Sequence, residues 1–448
     1  MKVPEIDKQI GMHVYLTKTE GIGGKIRRKL EDFIVEELLL NGAIARIKPE
    51  IGEIGGEGSH LLCILVKKNW DTMLIIREIA RRLGVDPKIV KYAGLKDAKA
   101  ITAQHISIRG VKPEQILKLN IKNAEITPIA LVKKPVSSQV LLGNRFTITI
   151  REIDQEKVEV DEKIAQTMEE IRTYGGMANF FSYQRFGAFR PITHLVGRQI
   201  VKGNYENAIR ILLAYVSPYE TENARKAREF LAETWDYSGA LKLMPKSLYY
   251  ERIALKWLAN HPNDYYGCLK RLPTKLLRLF VHAYQAYLFN RFLSQRLILM
   301  DEPHMPRPGD YIALLDQRGL PHTYLTARKA ELNRLKNLVK EGKACLALPL
   351  VGTKQTTSSG EQGEIEREIL EQEEIEPNNF KVAGFPEARS LGGLRPAFTP
   401  IKDFQVVAVC QERGKTQAKI QFTLIKGSYA TTLLRELMKP ENPVDSGF

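Results

Sequence analysis

Cysteine is scarce: the 448 residues hold four, Cys63, Cys268, Cys345 and Cys410, and no C-x-x-C pair occurs among them. That spacing excludes a disulfide framework and a cysteine-based zinc site, and the thiols are expected as small buried hydrophobes. The eight histidines are dispersed without H-E-x-x-H or another ligand spacing, so no metal is expected. Neither G-x-G-x-x-G nor G-x-x-x-x-G-K-[ST] occurs, which argues against nicotinamide and nucleoside triphosphate chemistry; no cofactor is expected. Long apolar runs are missing as well. No stretch reaches the roughly 18 residues of a membrane helix, and the opening MKVPEIDKQIGMHVYL lacks a secretory h-region, so a cytoplasmic protein without membrane association is expected.

What the chain has is positive charge. Lys and Arg number 67 against 52 Asp and Glu, a net +15. Eight Glu and one Arg between Ser358 and Asn379 give that segment −7, which leaves +22 on the remainder. A basic surface of that size concentrates polyanions, and nucleic acid is the commonest such partner. The acidic segment itself is expected as a solvated helix face.

The length allows two or three domains. DFIVEELLL (32–40), HLLCILV (60–66), ITAQHISI (101–108) and RFTITIRE (145–152) are rich in β-branched and aromatic residues and predict strands of one sheet. In the last of these, Phe146, Ile148 and Ile150 alternate with Thr147, Thr149 and Arg151. Asp71 or Thr72 caps a predicted helix whose apolar face is Ile75, Ile76, Ile79, Ala80 and Leu83, stopped at Gly84. Asp86-Pro87 opens another short helix. Beyond about residue 155 the pattern turns helical, ending in a long run over 274–297 where Leu277, Phe280, Tyr284, Tyr287 and Leu288 recur at helical spacing, the mark of a core helix. A loop-rich section follows at 301–310. Strand patterns return at 403–411 and 419–425, and Gly427 leads into a final short helix.

In KYAGLKDAKA (91–100), Asp97 stands between Lys96 and Lys99 in a predicted loop between a short helix and a strand. Taken alone, a Lys beside an Asp in a Gly-containing turn reads as ordinary surface chemistry. Its company changes that reading. GLKDAKAITAQ (94–104), LLGNRFTITIR (141–151), NFFSYQRFGAFRPITHLVG (179–197) and GSYATTLLREL (427–437), with RRKLEDFIVEE (27–37), resemble the TruD family of tRNA pseudouridine synthases in the family's order and across nearly the whole chain. Three positions depart from the common pattern: Ala98 follows the Asp where many relatives have a basic residue, and Ala178 and Ser182 stand where relatives often have Pro and Gly.

The resemblance implies an α+β fold: a mixed, mainly antiparallel catalytic sheet domain (1–178 and 395–448) interrupted by an inserted, largely helical α/β TRUD domain (179–394). It implies a cofactor-free isomerase that converts a tRNA uridine to pseudouridine, with uridine 13 of the D-arm favoured. Such a reaction needs a carboxylate near the anomeric carbon, and the motif match makes it Asp97. Arg27 matches the family's basic position as its partner, and Glu31 is expected either to fix the local network or to be a surface charge. Asn144 is read as structural or substrate-holding, and Phe146 and Tyr429 as lining a pocket for an unstacked base. Lys96, Lys99, Gln184, Arg185 and Arg190 are candidate RNA contacts, although Arg185 is read equally well as an internal salt-bridge hub. A monomer is expected, with a dimer left open. Two other readings stay in view. One is an RNA-binding or chaperone protein of the same fold without chemistry. The other is a retaining glycosidase, which requires a second carboxylate about 5 Å from the first, a place that the sequence leaves open to Glu31.

Overall fold

The structure, a computed structural model, describes residues 2–50 and 52–448. Its main feature is a nine-stranded sheet in the order Ile401–Glu412, Lys415–Ile425, Leu141–Ile153, Phe33–Leu39, Ile101–Arg109, His60–Lys68, Ala124–Val132, Gly55–Gly56. Val90–Tyr92 pairs with Ile101–Arg109 off this path. Phe33–Leu39 runs parallel to Ile101–Arg109, and Gly55–Gly56 parallel to Ala124–Val132; the other pairs are antiparallel. Lys415–Ile425 lies along Leu141–Ile153 from Thr416 opposite Ile153 to Ile425 opposite Gly143, so the two ends of the chain share one sheet.

The alternation in Leu141–Ile153 takes effect as expected. Phe146, Ile148 and Ile150 are buried, while Thr147, Thr149 and Arg151 are half-buried on the other face. Asp71 caps Thr72–Leu83 by accepting from the N–H groups of Met73 at 2.8 Å and Leu74 at 3.0 Å, and Gly84 ends the helix at φ 70. A cap of this kind contributes about 1 kcal/mol. Just beyond it, the turn Pro87–Ile89 runs straight into Val90–Tyr92, so a strand, rather than a helix, precedes the Asp97 loop.

The central part of the chain is helical around Thr274–Leu299, whose Leu277, Phe280, Tyr284 and Leu288 are buried. It also holds a four-stranded antiparallel sheet in the order Pro321–Thr326, Tyr311–Leu315, Ala344–Leu350, Gly393–Pro396. The sequence pattern predicts no strand at 311–350, where three of these four strands lie.

Two expectations require correction. In the acidic segment Glu366 and Glu373 are buried. Glu366 accepts from Ser358 and Gln362, and burial pushes its pKa up to about 7. Glu373 binds Arg198 and Arg291. The segment is therefore a solvated face only on its outer side. Among the thiols, Cys63 and Cys268 are buried, Cys345 is half-buried and Cys410 is exposed on an outer strand. No helix of the described residues is long and apolar enough to cross a membrane.

The final helix, Ala430–Met438, is buried along its whole length, including Arg435 and Glu436. Arg435 Nε donates to Asp7 Oδ2 at 2.5 Å, and Glu436 accepts from the backbone of Leu16 and Thr17. These buried charges lock the N-terminal segment onto the helix that carries Tyr429 at its start; removing one partner of such a pair costs about 3–5 kcal/mol.

Candidate active site

The loop after Val90–Tyr92 is fixed from behind by polar groups of its neighbours. Lys67, fully buried at the end of His60–Lys68, donates through Nζ to the carbonyls of Trp70 at 2.7 Å and Asp97 at 2.8 Å, with Lys96 O at 3.4 Å. Burial pulls its pKa down to about 8, against the opposing pull of the Asp97 and Asp71 carboxylates. Thr72 Oγ1 accepts from Lys96 N at 3.1 Å and donates to Lys96 O at 3.3 Å, while Gln104 Nε2 donates to Gly94 O at 3.3 Å. With its backbone tied at three residues, the loop holds the Asp97 side chain forward in a defined position.

That side chain meets Arg27, whose Nη2 lies 3.3 Å from Asp97 Oδ2. Arg27 Nη1 donates to Gly447 O at 2.8 Å, and its guanidinium stacks 4.1 Å over the Phe33 ring. The Arg27 backbone sits at φ 57, a left-handed conformation that a non-glycine residue adopts at a cost of order 1 kcal/mol. Three contacts around one guanidinium offset that cost.

Asp97 and Gln184 form the shared wall of two chambers. The inner one, about 190 Å³, is lined by Phe33, Asn144, Phe146, Ser428 and Tyr429. The outer one, about 420 Å³, is lined by Arg27, Arg28, Lys99 and Phe189. Phe146 belongs to both core and pocket: its ring stacks on Phe422 at 5.4 Å and meets Phe33 edge-on at 6.3 Å. Asn144 Oδ1 is buried without a hydrogen-bond partner. A buried acceptor left unpaired costs about 1–3 kcal/mol, so its position is explained if a ligand supplies the donor. Lys99 is exposed at the rim, its Nζ 5.3 Å from the Phe189 ring centroid. Gln184 Oε1 accepts from Thr431 Oγ1 at 3.2 Å.

Of the remaining sequence candidates, one lines the inner chamber and two lie elsewhere. Lys96, expected at RNA, lines the inner chamber but is buried, with Nζ 2.7 Å from Glu37 Oε2. Burial alone would raise the Glu37 pKa, but the hydrogen bond from His105 and the Lys96 charge outweigh it and leave it lowered. Arg190, also expected at RNA, turns inward to Leu212 O at 3.0 Å and Glu251 Oε1 at 3.3 Å, and burial lowers its pKa to about 10. Glu31 is exposed, has no side-chain partner among the described residues and lines neither chamber, so it takes the surface-charge alternative. The network role falls to its neighbour Asp32, which accepts from Lys29 N and Arg151 Nε, both at 2.8 Å. Arg185 forms no ion pair with a carboxylate among the described residues and packs its guanidinium 5.5 Å from the Phe181 ring, so it is no salt-bridge hub.

Sequence reasoning missed Lys67, Glu37 and Arg395. A signal existed for the first two: each is a charged residue set inside an apolar strand run, HLLCILVKK and FIVEELL. Arg395 gave none, since its partners come from residues 179, 181 and 427.

Comparison with known proteins bears on what this arrangement does. The family model for tRNA pseudouridine synthase D (TruD) matches residues 9–437. A Methanosarcina acetivorans protein named "Probable tRNA pseudouridine synthase D" is 38% identical over 442 residues, 98% of each chain. A Pyrobaculum islandicum protein of the same name is 35% identical over 455 aligned positions, spanning 100% of both. A crystal structure from Methanosarcina mazei that bears the TruD name superposes with a TM-score of 0.83 at 38% identity, covering 98% of this chain and 99% of its own.

Proposed function

The chain belongs to the TruD family of tRNA pseudouridine synthases, which are isomerases, and on that premise we propose that it isomerises a tRNA uridine with Asp97 as the reacting carboxylate. The target we favour is uridine 13 of the D-arm. One observation carries this reading: the Asp97 carboxylate, held by Arg27, stands on the wall of a chamber that also gathers the Phe146 and Tyr429 rings and the unpaired Asn144 amide.

The reaction breaks the bond from uracil N1 to the anomeric carbon, turns the ring and joins its C5 to the same carbon. C5 gives up a proton and N1 takes one, so the atoms balance without an oxidant or an activated donor. Asp97 supplies the nucleophile or base that such a step requires, and Arg27 orients it. The uridine must leave the RNA stack first, at a cost of a few kcal/mol. The inner chamber offers ring faces in return, and Asn144 Oδ1 can accept from the imide N–H of the free uracil. Lys99, Gln184 and the exposed Phe189 would meet the strand at the outer chamber.

The domain division 1–178 with 395–448, around an insertion 179–394, is part of the same reading. It is supported by the pairing of Met177–Ala178 with Phe398–Thr399 in a separate two-stranded sheet, which brings the two boundaries of the insertion together.

Tritium release from tRNA labelled at uridine C5 tests the reaction. The wild-type protein is expected to release it and Asp97→Asn to release none while still binding tRNA; release by Asp97→Asn would remove Asp97 from its role. A pseudouridine map of the product tRNA tests the target.

A further inference from the structure

Beside the inner chamber lies a group of cations that the chemistry of Asp97 does not use. Arg185 and Arg395 flank the same ring, Phe181, with their guanidinium carbons 5.5 and 4.0 Å from its centroid. Phe181 in turn packs against Tyr429, ring centroids 6.2 Å apart. Gln184, next in sequence to Arg185, lines both chambers. Arg395 Nη1 points toward Gly427, 3.6 Å from where a Cβ would stand, in the turn that carries Ser428 and Tyr429 into the chamber wall. Arg395 therefore borders the turn that forms the chamber's edge, and Arg185 stands beside it at the Phe181 ring.

Their bonding is incomplete. Arg395 uses Nε and Nη2 on the Asn179 carbonyl and side chain, at 2.7 to 3.3 Å, and leaves Nη1 without a protein acceptor. Arg185 donates no side-chain hydrogen bond among the described residues, although its Nε is buried. Neither arginine lies within ion-pair distance of a described carboxylate. The other titratable groups facing them are Tyr324, Tyr429 and His282, none of which is a carboxylate that could neutralise two cations. Burial lowers the Arg395 pKa to about 10, with the Arg185 charge adding to the fall. Burial and the Arg185 charge likewise lower His282. Elsewhere in the molecule the buried arginines are paired: Arg228 with Glu220 and Glu251, Arg296 with Asp310, Arg435 with Asp7. Two like charges held together over one ring, with donors left over, repel each other until an anion arrives.

We infer that Arg185 and Arg395 form a binding site for a phosphodiester of the RNA strand next to the uridine held in the inner chamber. A guanidinium presents planar N–H donors that match phosphate oxygens, and the two here leave open Arg395 Nη1 and the terminal Arg185 nitrogens, Nη1 and Nη2. A nucleotide turned out of its stack swings about its own backbone, so the phosphates flanking it stay at the mouth of the pocket. The site would hold that backbone in its turned-out course while Asn144 and the aromatic rings hold the base. This assignment rests on the isomerase reading only for the identity of the nucleotide; the anion site itself stands on the unpaired arginines.

The test is tRNA binding by the full chain as a function of salt, with tritium release measured alongside. Arg185→Gln is expected to weaken tRNA binding about tenfold, the worth of one charge-assisted hydrogen-bonded contact. It is also expected to reduce the slope of log affinity against log salt by about 0.7, one phosphate's share in a single strand. Arg185→Lys keeps the charge without the fork and should restore the slope but only part of the affinity. A second variant, Arg395→Lys, preserves packing on Phe181 and should behave in the same way. A slope in Arg185→Gln equal to the wild type's would overturn the phosphate site, whatever happens to the rate, because a merely structural role does not change counterion release. Absence of tritium release by the wild type would instead count against the isomerase reading and leave the salt slopes to judge this one.

Discussion

Arg27 and Asp97 meet at 3.3 Å with the cation as the more buried partner: its side chain is 14% exposed, against 40% for the carboxylate. Burial pushes the Arg27 pKa down, and the Asp97 charge pulls the other way. The same guanidinium reaches Gly447 O and lies on Phe33, so it sets the direction of the carboxylate as well as its charge environment. Arg27→Ala should lower kcat about a hundredfold, the usual effect of a reacting group displaced by about 1 Å. tRNA affinity should move much less. Arg27→Lys should not restore kcat, because an ammonium lacks the planar fork that reaches Asp97 and Gly447 while lying flat on the Phe33 ring. Single-turnover kinetics with filter binding separate these effects, and a variant that loses affinity while keeping kcat would make Arg27 an RNA contact instead.

Asn144 gives a prediction in which stability and function move in opposite directions. Its unpaired Oδ1 is a cost to the free protein. Asn144→Leu should leave the fold as stable as before or raise its stability by about 1 kcal/mol, while kcat/KM falls. Denaturant unfolding and steady-state rates decide it; a destabilised but fully active variant would assign Asn144 to the framework alone.

The Lys96–Glu37 pair is buried on both sides. Lys96→Met strands the Glu37 carboxylate and should cost about 3–5 kcal/mol, and adding Glu37→Gln should recover part of the loss. Were Lys96 a phosphate contact, stability would hold and the salt slope would fall.

Lys67 ties the loop by its ammonium, and its pKa in the folded protein is lowered to about 8 from 10.5. Between those values the unfolded chain holds a proton that the folded chain has released, so this group's contribution to stability rises with pH across that window. Activity should move the other way. As pH passes about 8 the side chain loses its charge and one of its donors to the loop carbonyls, and kcat/KM should fall. Lys67→Arg should shift that alkaline limb upward, beyond the measurable range. An alkaline limb unchanged in a folded Lys67→Arg variant would assign it to another group.

Much of the catalytic sheet could be read along the chain because its signals are local. The alternation around Phe146, the Asp71 cap and the Gly84 stop each depend on neighbours a few residues away, and each appears where expected. The strands Ala124–Val132 and Tyr311–Leu315 were not legible, since one contains a proline and the other is short and only partly buried. At the site, Asp97, Arg27, Asn144, Phe146 and Tyr429 could be named from motifs. Lys96 and Arg190 read as surface cations because a basic residue looks the same in sequence whether it faces solvent or a buried carboxylate. Only the packing of Glu37 and Glu251 against them distinguishes the two.

The sequence by itself determined which side chains are available for chemistry, their order along the chain and the apolar periodicities that build the sheet and the long core helix, because those follow from residue type and short-range spacing. Only the tertiary structure decided which charges are spent on each other and which remain for a ligand. Lys96, Arg190 and Arg228 find carboxylates brought from distant elements, whereas Arg185 and Arg395 are carried to the Phe181 ring with none. The physical reason is that pairing depends on through-space distances of a few ångströms, set when residues 27, 97, 144, 185, 395 and 429 are drawn together by a fold whose local signals say nothing of one another.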